Sequence, residues 1–296
     1  MFGQDQYQAI NSLLNSRFAE KNPLVAVHRG TGLGMIVENT SHAVTAALRS
    51  GADMVEIDVV QSTDGDFYVF HDGMEPESFG IDHLITTLST VEVDELVYSQ
   101  QTAAPLVHVQ KLEHTLTSFP GVLFNIDRSW FYWDLLLPWL DQFEMTEQLI
   151  LKAPPTPRAM ELLRAHPVKY PLVAIVSSEE QLAAVVGDPQ INLVGVELLA
   201  DTPTHAFCDP AVTKAFQDRG LLVYLNALNL SDGTVLMAGW DDNLSVTGNP
   251  DDGWGRLVGL GADVIQTDWP ALLNAYLGRD IRKLSWQSSA HSMQRS

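Results

Sequence analysis

Short runs of apolar and β-branched residues recur along the chain, and segments with helical spacing of apolar positions lie between them. Strands that alternate with helices are typical of βα units, and eight such units predict an α/β protein, a TIM (β/α)8 barrel. A doubly wound open sheet is the alternative arrangement of the same units. The apolar runs occupy residues 23–29, 53–60, 121–128, 148–155, 170–176, 191–199, 220–228 and 262–270.

Several of the helices between these runs carry terminal signals. Asn39 or Thr40 can cap the start of a helix that Gly51 ends. Pro210 stands at a first-turn position of another helix, which stops at Gly220. These signals support the alternation of strands and helices.

Some segments of the chain lie outside the eight predicted βα units. A helix around residues 5–20 precedes the first strand, and we expect it to close the bottom of the barrel. An extra extended segment, "FYVFHD", ends in His71 and Asp72. We expect residues 1–282 to form a single domain and residues 283–296 to form a flexible tail.

Two long connections, residues 73–117 and residues 228–255, separate predicted elements. Long loops in a compact barrel usually serve as lids or as walls of the substrate site. We therefore expect both connections to lie near the site.

Charge and composition exclude several functional classes. The formal net charge is −20, and residues 51–110 contain twelve acids and no Lys or Arg, which disfavours nucleic acid and anionic membranes as partners. Cys208 is the only cysteine, which excludes an internal disulfide and a cysteine-based zinc site. No signal peptide and no apolar run of roughly 20 residues is visible, so a cytoplasmic protein is expected.

Polar side chains stand at the carboxyl end of nearly every predicted strand. In a TIM barrel these ends converge on the face where active sites lie. The residues concerned are His28, Arg29, Glu56, Asp58, Asp127, Lys152, Ser177, Glu197, Asn226 and Asp268.

Two of these acids lie inside one apolar run. Glu56 and Asp58 are two residues apart, so both point to the same side of the strand, with Asp127 on the next barrel strand. Carboxylates that converge repel each other, and a Mg²⁺ or Ca²⁺ ion relieves that repulsion. Ion pairs with Arg29 and Lys152 are the alternative explanation.

His28 and His71 both end predicted strands beside these acids. Hydrogen-bonded structural roles and acid–base catalysis are both open for them. Two histidines beside a metal site and cations suit phosphoryl chemistry, in which one imidazole takes a proton and the other gives one.

The order of these motifs resembles the signature of the glycerophosphodiester phosphodiesterase family, within the phospholipase-C-like phosphodiesterases. The match is dense from His28 to Asp72, "HRG…ENT…GADMVEIDVVQSTDGDFYVFHD", and returns at residues 125–127, 223–226 and 266–270. The resemblance implies a TIM barrel, one divalent cation, and cleavage of a small phosphodiester to an alcohol and a phosphomonoester.

The resemblance also implies roles for single residues. His28 and His71 become the acid–base pair, and Arg29 contacts the phosphate. Glu56 and Asp58 become metal ligands.

On the third barrel strand the sequence departs from the family pattern. The family has Glu-x-Lys, whereas this chain has Asp127 and Ser129, so Asp127 becomes the third metal ligand and Lys152 the candidate for the missing cation. By the same resemblance, Glu38 would orient the site or a ligand. The other candidates for contact with the substrate are Glu197, Asn226 and Trp269.

Two rival functions remain open. One is a phospholipase C- or D-like activity on intact lipid, against which the acidic surface argues. The other is a barrel that binds phosphodiesters without turnover, against which the paired histidines argue.

Overall fold

The computed structural model describes residues 1–99 and 106–280, and its centre is a closed barrel of eight parallel strands. The first barrel strand pairs with both the second and the last, which closes the sheet. The TIM barrel is therefore confirmed, and the open sheet is wrong. The barrel strands are β1 Leu24–Val27, β2 Met54–Gln61, β5 Leu123–Asp127, β6 Leu149–Ala153, β7 Leu172–Val176, β8 Leu193–Leu198, β9 Leu222–Asn226 and β10 Val264–Thr267.

The extra extended segment becomes a strand outside the barrel. Strand β3, Phe67–Val69, runs antiparallel to the end of β2, and β4, Gln110–Lys111, pairs with β3 on its other side. The described residues between 67 and 111 form a small layer, called the insertion here, with an apolar core that also includes Val37 and Val60. This core contains Tyr68, Phe70, Ile85, Val93, Tyr98, Val107 and Val109.

Helices surround the barrel and follow the predicted signals. The Thr40 hydroxyl caps the helix that starts at Ser41, and Gly51 beyond its end has a φ of +90°. Both long connections contain helices rather than loop alone. The helices are α1 Ser12–Glu20, α2 Ser41–Arg49, α3 Glu75–Phe79, α4 Thr90–Asp94, α5 Leu112–Ser118, α6 Trp133–Asp141, α7 Pro157–Ala165, α8 Pro210–Gln217, α9 Asp242–Thr247, α10 Trp254–Gly259 and α11 Pro270–Tyr276.

The core has an outer shell and an inner one. The outer shell fills the space between strands and helices, and the inner one fills the barrel near its amino-terminal end. Phe2 and Leu14, from the segment before β1, pack against Leu24 and Met54 inside the barrel. The prediction that the first helix closes the barrel bottom is thus confirmed.

In the part of the chain that the structure describes, no helix is long and apolar enough to cross a membrane. The predicted tail, residues 283–296, and the predicted domain boundary at residue 282 lie outside the described residues.

Candidate active site

The residues singled out in the sequence meet at the carboxyl-terminal mouth of the barrel. His28 and Arg29 directly follow β1, and Trp269 lies beyond β10. His71 lies beyond β3 and so reaches the mouth from the insertion. The other candidates lie on barrel strands, apart from Glu38 before α2: Glu56, Asp58, Asp127, Lys152, Glu197 and Asn226.

Three carboxylates form the centre of the mouth. Asp58 and Asp127 are direct neighbours in the register of β2 and β5, and one oxygen from each of Glu56, Asp58 and Asp127 lies within 4.8 Å of the others. Burial and the charge of Asp58 raise the pKa of Glu56 to about 8. Three carboxylates this close, one of them held protonated at neutral pH, fit a hard divalent cation that takes oxygen ligands.

Cations also neutralise two of these acids. Arg29 Nε lies 3.1 Å from Asp58 Oδ2, and Lys152 Nζ lies 2.6 Å from Asp127 Oδ2. Glu56 accepts a hydrogen bond from the backbone N–H of Arg29 at 2.8 Å and has no ion pair among the described residues. The ion pairs expected as the alternative to a metal are therefore present for Asp58, while Glu56 has no cationic partner among the described residues and holds a proton instead.

The loop after β1 is shaped around Asp58. Asn39 has a φ of 55°, donates its amide to Asp58 Oδ2 at 3.0 Å, and accepts from the backbone N–H of Asp58 at 3.1 Å. Arg29 has a φ of 50° and donates to Glu38 Oε1 at 2.6 Å. Glu38 thus holds the Arg29 guanidinium, and its role toward a ligand stays a prediction.

His28 is held by a carboxylate. Its Nδ1 lies 2.9 Å from Asp268 Oδ1. Burial lowers the pKa of His28, but the hydrogen bond to Asp268 and the charge of Glu56 outweigh burial and raise the pKa above its usual value. A carboxylate at Nδ1 fixes the tautomer, so Nε2 is the nitrogen left to exchange protons with a ligand.

Behind Asp268 lies a second carboxylate, Asp242, at the start of α9. It accepts hydrogen bonds from the backbone N–H of Asp268 at 2.8 Å and from Trp254 Nε1 and the Thr267 hydroxyl at 2.7 Å each. Burial raises the pKa of Asp242 to about 7. Asp242 therefore anchors the residue that orients His28.

His71 has a different support. Its Nδ1 lies 2.9 Å from the carbonyl oxygen of Asp72, so Nδ1 carries the proton. Asp72 in turn accepts two hydrogen bonds from Arg128, at 2.5 Å from Nε and 3.1 Å from a terminal nitrogen. Arg128 follows Asp127 with a φ of 51°, and it ties the end of the insertion to the mouth of the barrel.

Lys152 lies deeper in the barrel than a side chain that contacts a phosphate at the surface would. It is 2% exposed, and besides Asp127 its Nζ contacts Glu197 Oε2 at 2.9 Å. Asn226 donates to Glu197 Oε1 at 2.9 Å, while its own Oδ1 is buried without a hydrogen-bond partner among the described residues. These residues form a buried polar chain that supports Asp127, and their contact with substrate stays a prediction.

Two cavities open beside this centre. One, of about 140 Å³, lies between the loop after β1 and the insertion, and the other, of about 100 Å³, lies beside Asn226 and the loop that follows β9. Trp269 is half-buried and packs against the outer core, so its predicted contact with a head group also stays a prediction.

Sequence reasoning missed four residues of this site. Asn39 belongs to the quoted Glu-Asn-Thr motif, which was the available signal. Asp72 lies in the quoted His-Asp motif, but its partner Arg128 is distant in sequence. Asp242 is one acid among many in an acidic connection, so no sequence signal separates it from its neighbours.

Solved structures share this fold over nearly the whole chain. A glycerophosphoryl diester phosphodiesterase from Parabacteroides distasonis has a TM-score of 0.69 at 15% identity, covering 91% of this chain and 91% of its own. A glycerophosphodiester phosphodiesterase from Thermotoga maritima has a TM-score of 0.59 at 20% identity, covering 86% and 99%. A phosphodiesterase from Oleispira antarctica, in complex with the product sn-glycerol-3-phosphate, has a TM-score of 0.62 at 16% identity, covering 88% and 99%.

Sequence comparisons are less informative. A family profile described as a domain of unknown function (DUF4996) matches residues 172–277, which is less than half of the chain. No curated protein sequence matches the chain. The likeness is thus structural, and the chain has the TIM-barrel fold of the solved glycerophosphodiester phosphodiesterases.

Proposed function

We propose that this chain is a metal-dependent phosphoric diester hydrolase that cleaves a glycerophosphodiester, or a similar small phosphodiester, to an alcohol and a phosphomonoester. One observation carries the proposal. A trio of carboxylates of which two are buried, a largely buried arginine and two histidines held through Nδ1 meet at one barrel mouth. A cytoplasmic setting, without nucleic acid or membrane as partner, belongs to the same proposal.

Glu56, Asp58 and Asp127 would hold one Mg²⁺ or Ca²⁺ ion. Such an ion neutralises phosphoryl oxygens and favours charge build-up in the transition state. The Arg29 guanidinium would contact the phosphate as well, because Glu38 and Asp58 fix its orientation. Lys152 would act from below by holding Asp127, with Glu197 and Asn226 in support.

The hydrogen bonds that hold the two histidines determine which ring nitrogen takes part in each proton transfer. His28 Nε2 takes the proton of the attacking hydroxyl, and the charge of Asp268 stabilises the imidazolium that results. A bond from the hydroxyl oxygen to phosphorus forms as the bond to the leaving alkoxide breaks. His71 enters the step as the imidazolium, with Nδ1–H on the Asp72 carbonyl oxygen, and gives its Nε2 proton to that alkoxide. If the attacking hydroxyl is water, the phosphomonoester forms directly. If it belongs to the substrate, a cyclic phosphodiester forms first, and water opens its ring in a second step in which the two histidines exchange roles.

The test is release of alcohol from glycerophosphocholine, glycerophosphoethanolamine and bis(p-nitrophenyl) phosphate. The protein is treated with EDTA, and Mg²⁺ or Ca²⁺ is then restored, with His28→Ala as the matched variant. We expect turnover that returns with metal and is absent in the variant. Metal binding without turnover of any of the three would overturn the proposed small substrates, and absence of metal binding would overturn the metal-dependent mechanism.

A further inference from the structure

The cavity between the loop after β1 and the insertion, called the side cavity here, adjoins the catalytic centre. Glu38 and Asn39 line it, and these residues also hold Arg29 and Asp58. Phe70, the residue before His71, forms part of the opposite wall. A substituent on a phosphate bound at the centre therefore has a direct path into the side cavity, past the histidine that we assign as general acid.

Tyr98 brings an unused polar group to this cavity. Its side chain is 4% exposed, and its hydroxyl has no hydrogen-bond partner among the described residues. Its ring packs against Phe79 with centroids 4.8 Å apart, and its backbone N–H bonds the Val107 carbonyl at 3.0 Å, so the hydroxyl is held in place. A fixed, buried hydroxyl without a partner is costly unless a ligand supplies one.

The charge of the cavity is negative. Glu38 is neutralised by Arg29, but Glu77 on α3 is exposed and has no ion pair among the described residues. Residues 51–110, which supply half of the lining residues, contain no Lys or Arg. A ligand group that carries positive charge and N–H donors would satisfy both the Tyr98 oxygen and the Glu77 carboxylate.

Building on the proposed function, we propose that the side cavity binds the leaving alcohol and selects an amino alcohol with a protonated primary amine. The ammonium donates to the Tyr98 hydroxyl and lies near the Glu77 carboxylate, while Phe70 and Met74 contact its methylene carbons. His71 then stands at the oxygen that leaves, where a general acid is needed.

The experiment compares kcat/KM for glycerophosphoethanolamine with kcat/KM for glycerophosphoglycerol, whose leaving alcohol is uncharged. In Tyr98→Phe and in Glu77→Gln we expect the ratio of the two values to fall by about three- to tenfold, the loss of one hydrogen bond or one charge contact. Glu95→Gln removes the same charge from an exposed position of the insertion outside the cavity, and we expect it to leave the ratio unchanged.

A ratio that neither variant changes would overturn the proposal, as would an equal fall in the Glu95→Gln control. If the unaltered protein cleaves neither diester, the proposed function fails by itself. In that case, binding of phosphoethanolamine, measured by calorimetry, tests the proposed role of the side cavity independently of turnover. Weaker binding by both variants supports it, and equal binding by all forms overturns it.

Discussion

Three residues that are not glycine hold a left-handed backbone around the carboxylates. Arg29, Asn39 and Arg128 have φ values of 50°, 55° and 51°. Such a conformation costs about 1 kcal/mol or more for a residue with a side chain, and it persists where other contacts outweigh that cost. Here the contacts are those to Asp58 and Asp72. They hold the strained backbone in the conformation that the geometry of the site requires.

The stability of the Tyr98→Phe variant tests whether the Tyr98 hydroxyl is unpaired in the free protein. Removing a buried hydroxyl without a partner should leave the free energy of unfolding unchanged or raise it by about 1 kcal/mol. Tyr68→Phe is the matched control, because the Tyr68 hydroxyl donates to Asp94 at 2.7 Å, and it should lose about 1 kcal/mol. Urea denaturation measures both. Equal losses would mean that Tyr98 has a partner.

The pKa of Glu56 predicts how metal affinity depends on pH. Below about pH 8 the carboxyl holds a proton that a cation must displace, so affinity should fall as pH falls. The slope should approach about tenfold per pH unit below that value and flatten above it. Calorimetry in buffers with different heats of ionisation measures the proton released. Glu56→Gln should abolish that release, and release that persists in the variant would assign the proton to another group.

At the scale of elements, the sequence predicts the barrel well because its strands are long apolar runs. Each of the eight predicted runs overlaps one barrel strand, and the alternation of strands with helices sets the topology. The insertion is different. Its strand β4 has two residues and its helices α3 and α4 have five each, too short for a periodic pattern to emerge.

The candidate site, like the fold, could be predicted only in part from the sequence. Residues at strand ends could be grouped from sequence because parallel strands share one mouth. Asn39 and Arg128 act through an unusual backbone angle, and Asp242 and Tyr98 act through tertiary contacts made by short elements. Apart from the Glu-Asn-Thr motif that contains Asn39, no local pattern encodes either feature.

The contact of Asp242 at the start of α9 with Asp268 after β10 leads to a prediction about catalysis. Asp268→Asn keeps the size of the side chain but removes the charge that stabilises protonated His28, so kcat should fall by about 10- to 100-fold. The fall in kcat should be largest in the pH range in which the protonation state of His28 limits the rate. A pH–rate profile measures this. Asp252→Asn, which removes an exposed acid from the connection at residues 228–255, serves as control. A normal pH profile in Asp268→Asn would remove Asp268 from the acid–base system.

At the scale of the whole molecule, the two ends of the barrel have separate tasks. The bottom is filled by Phe2 and Leu14, whereas the carboxylates and histidines lie at the mouth. In TIM barrels the bottom contributes to stability and the top to chemistry. Changes at one end should therefore leave the other unaffected.

Leu14→Ala tests this separation. Leu14 is 1% exposed, and its truncation should cost about 2–5 kcal/mol of unfolding free energy while kcat stays unchanged wherever the variant is folded. Leu135→Ala, at a position 55% exposed on α6, should cost little. Thermal unfolding and steady-state kinetics together measure both effects. A large loss of kcat in folded Leu14→Ala would show that bottom and mouth are coupled.

The two histidines reach the mouth from different bodies of the fold. His28 belongs to the barrel itself, while His71 is delivered by the strand that leads into the insertion, pinned through Asp72 and Arg128. The same insertion supplies Phe70 and Tyr98 to the side cavity. Under the two proposals, the proton donor and one wall of the side cavity belong to the same segment of the chain. Transfer of this segment to another barrel should then transfer the preference for a leaving group together with the acid that releases it.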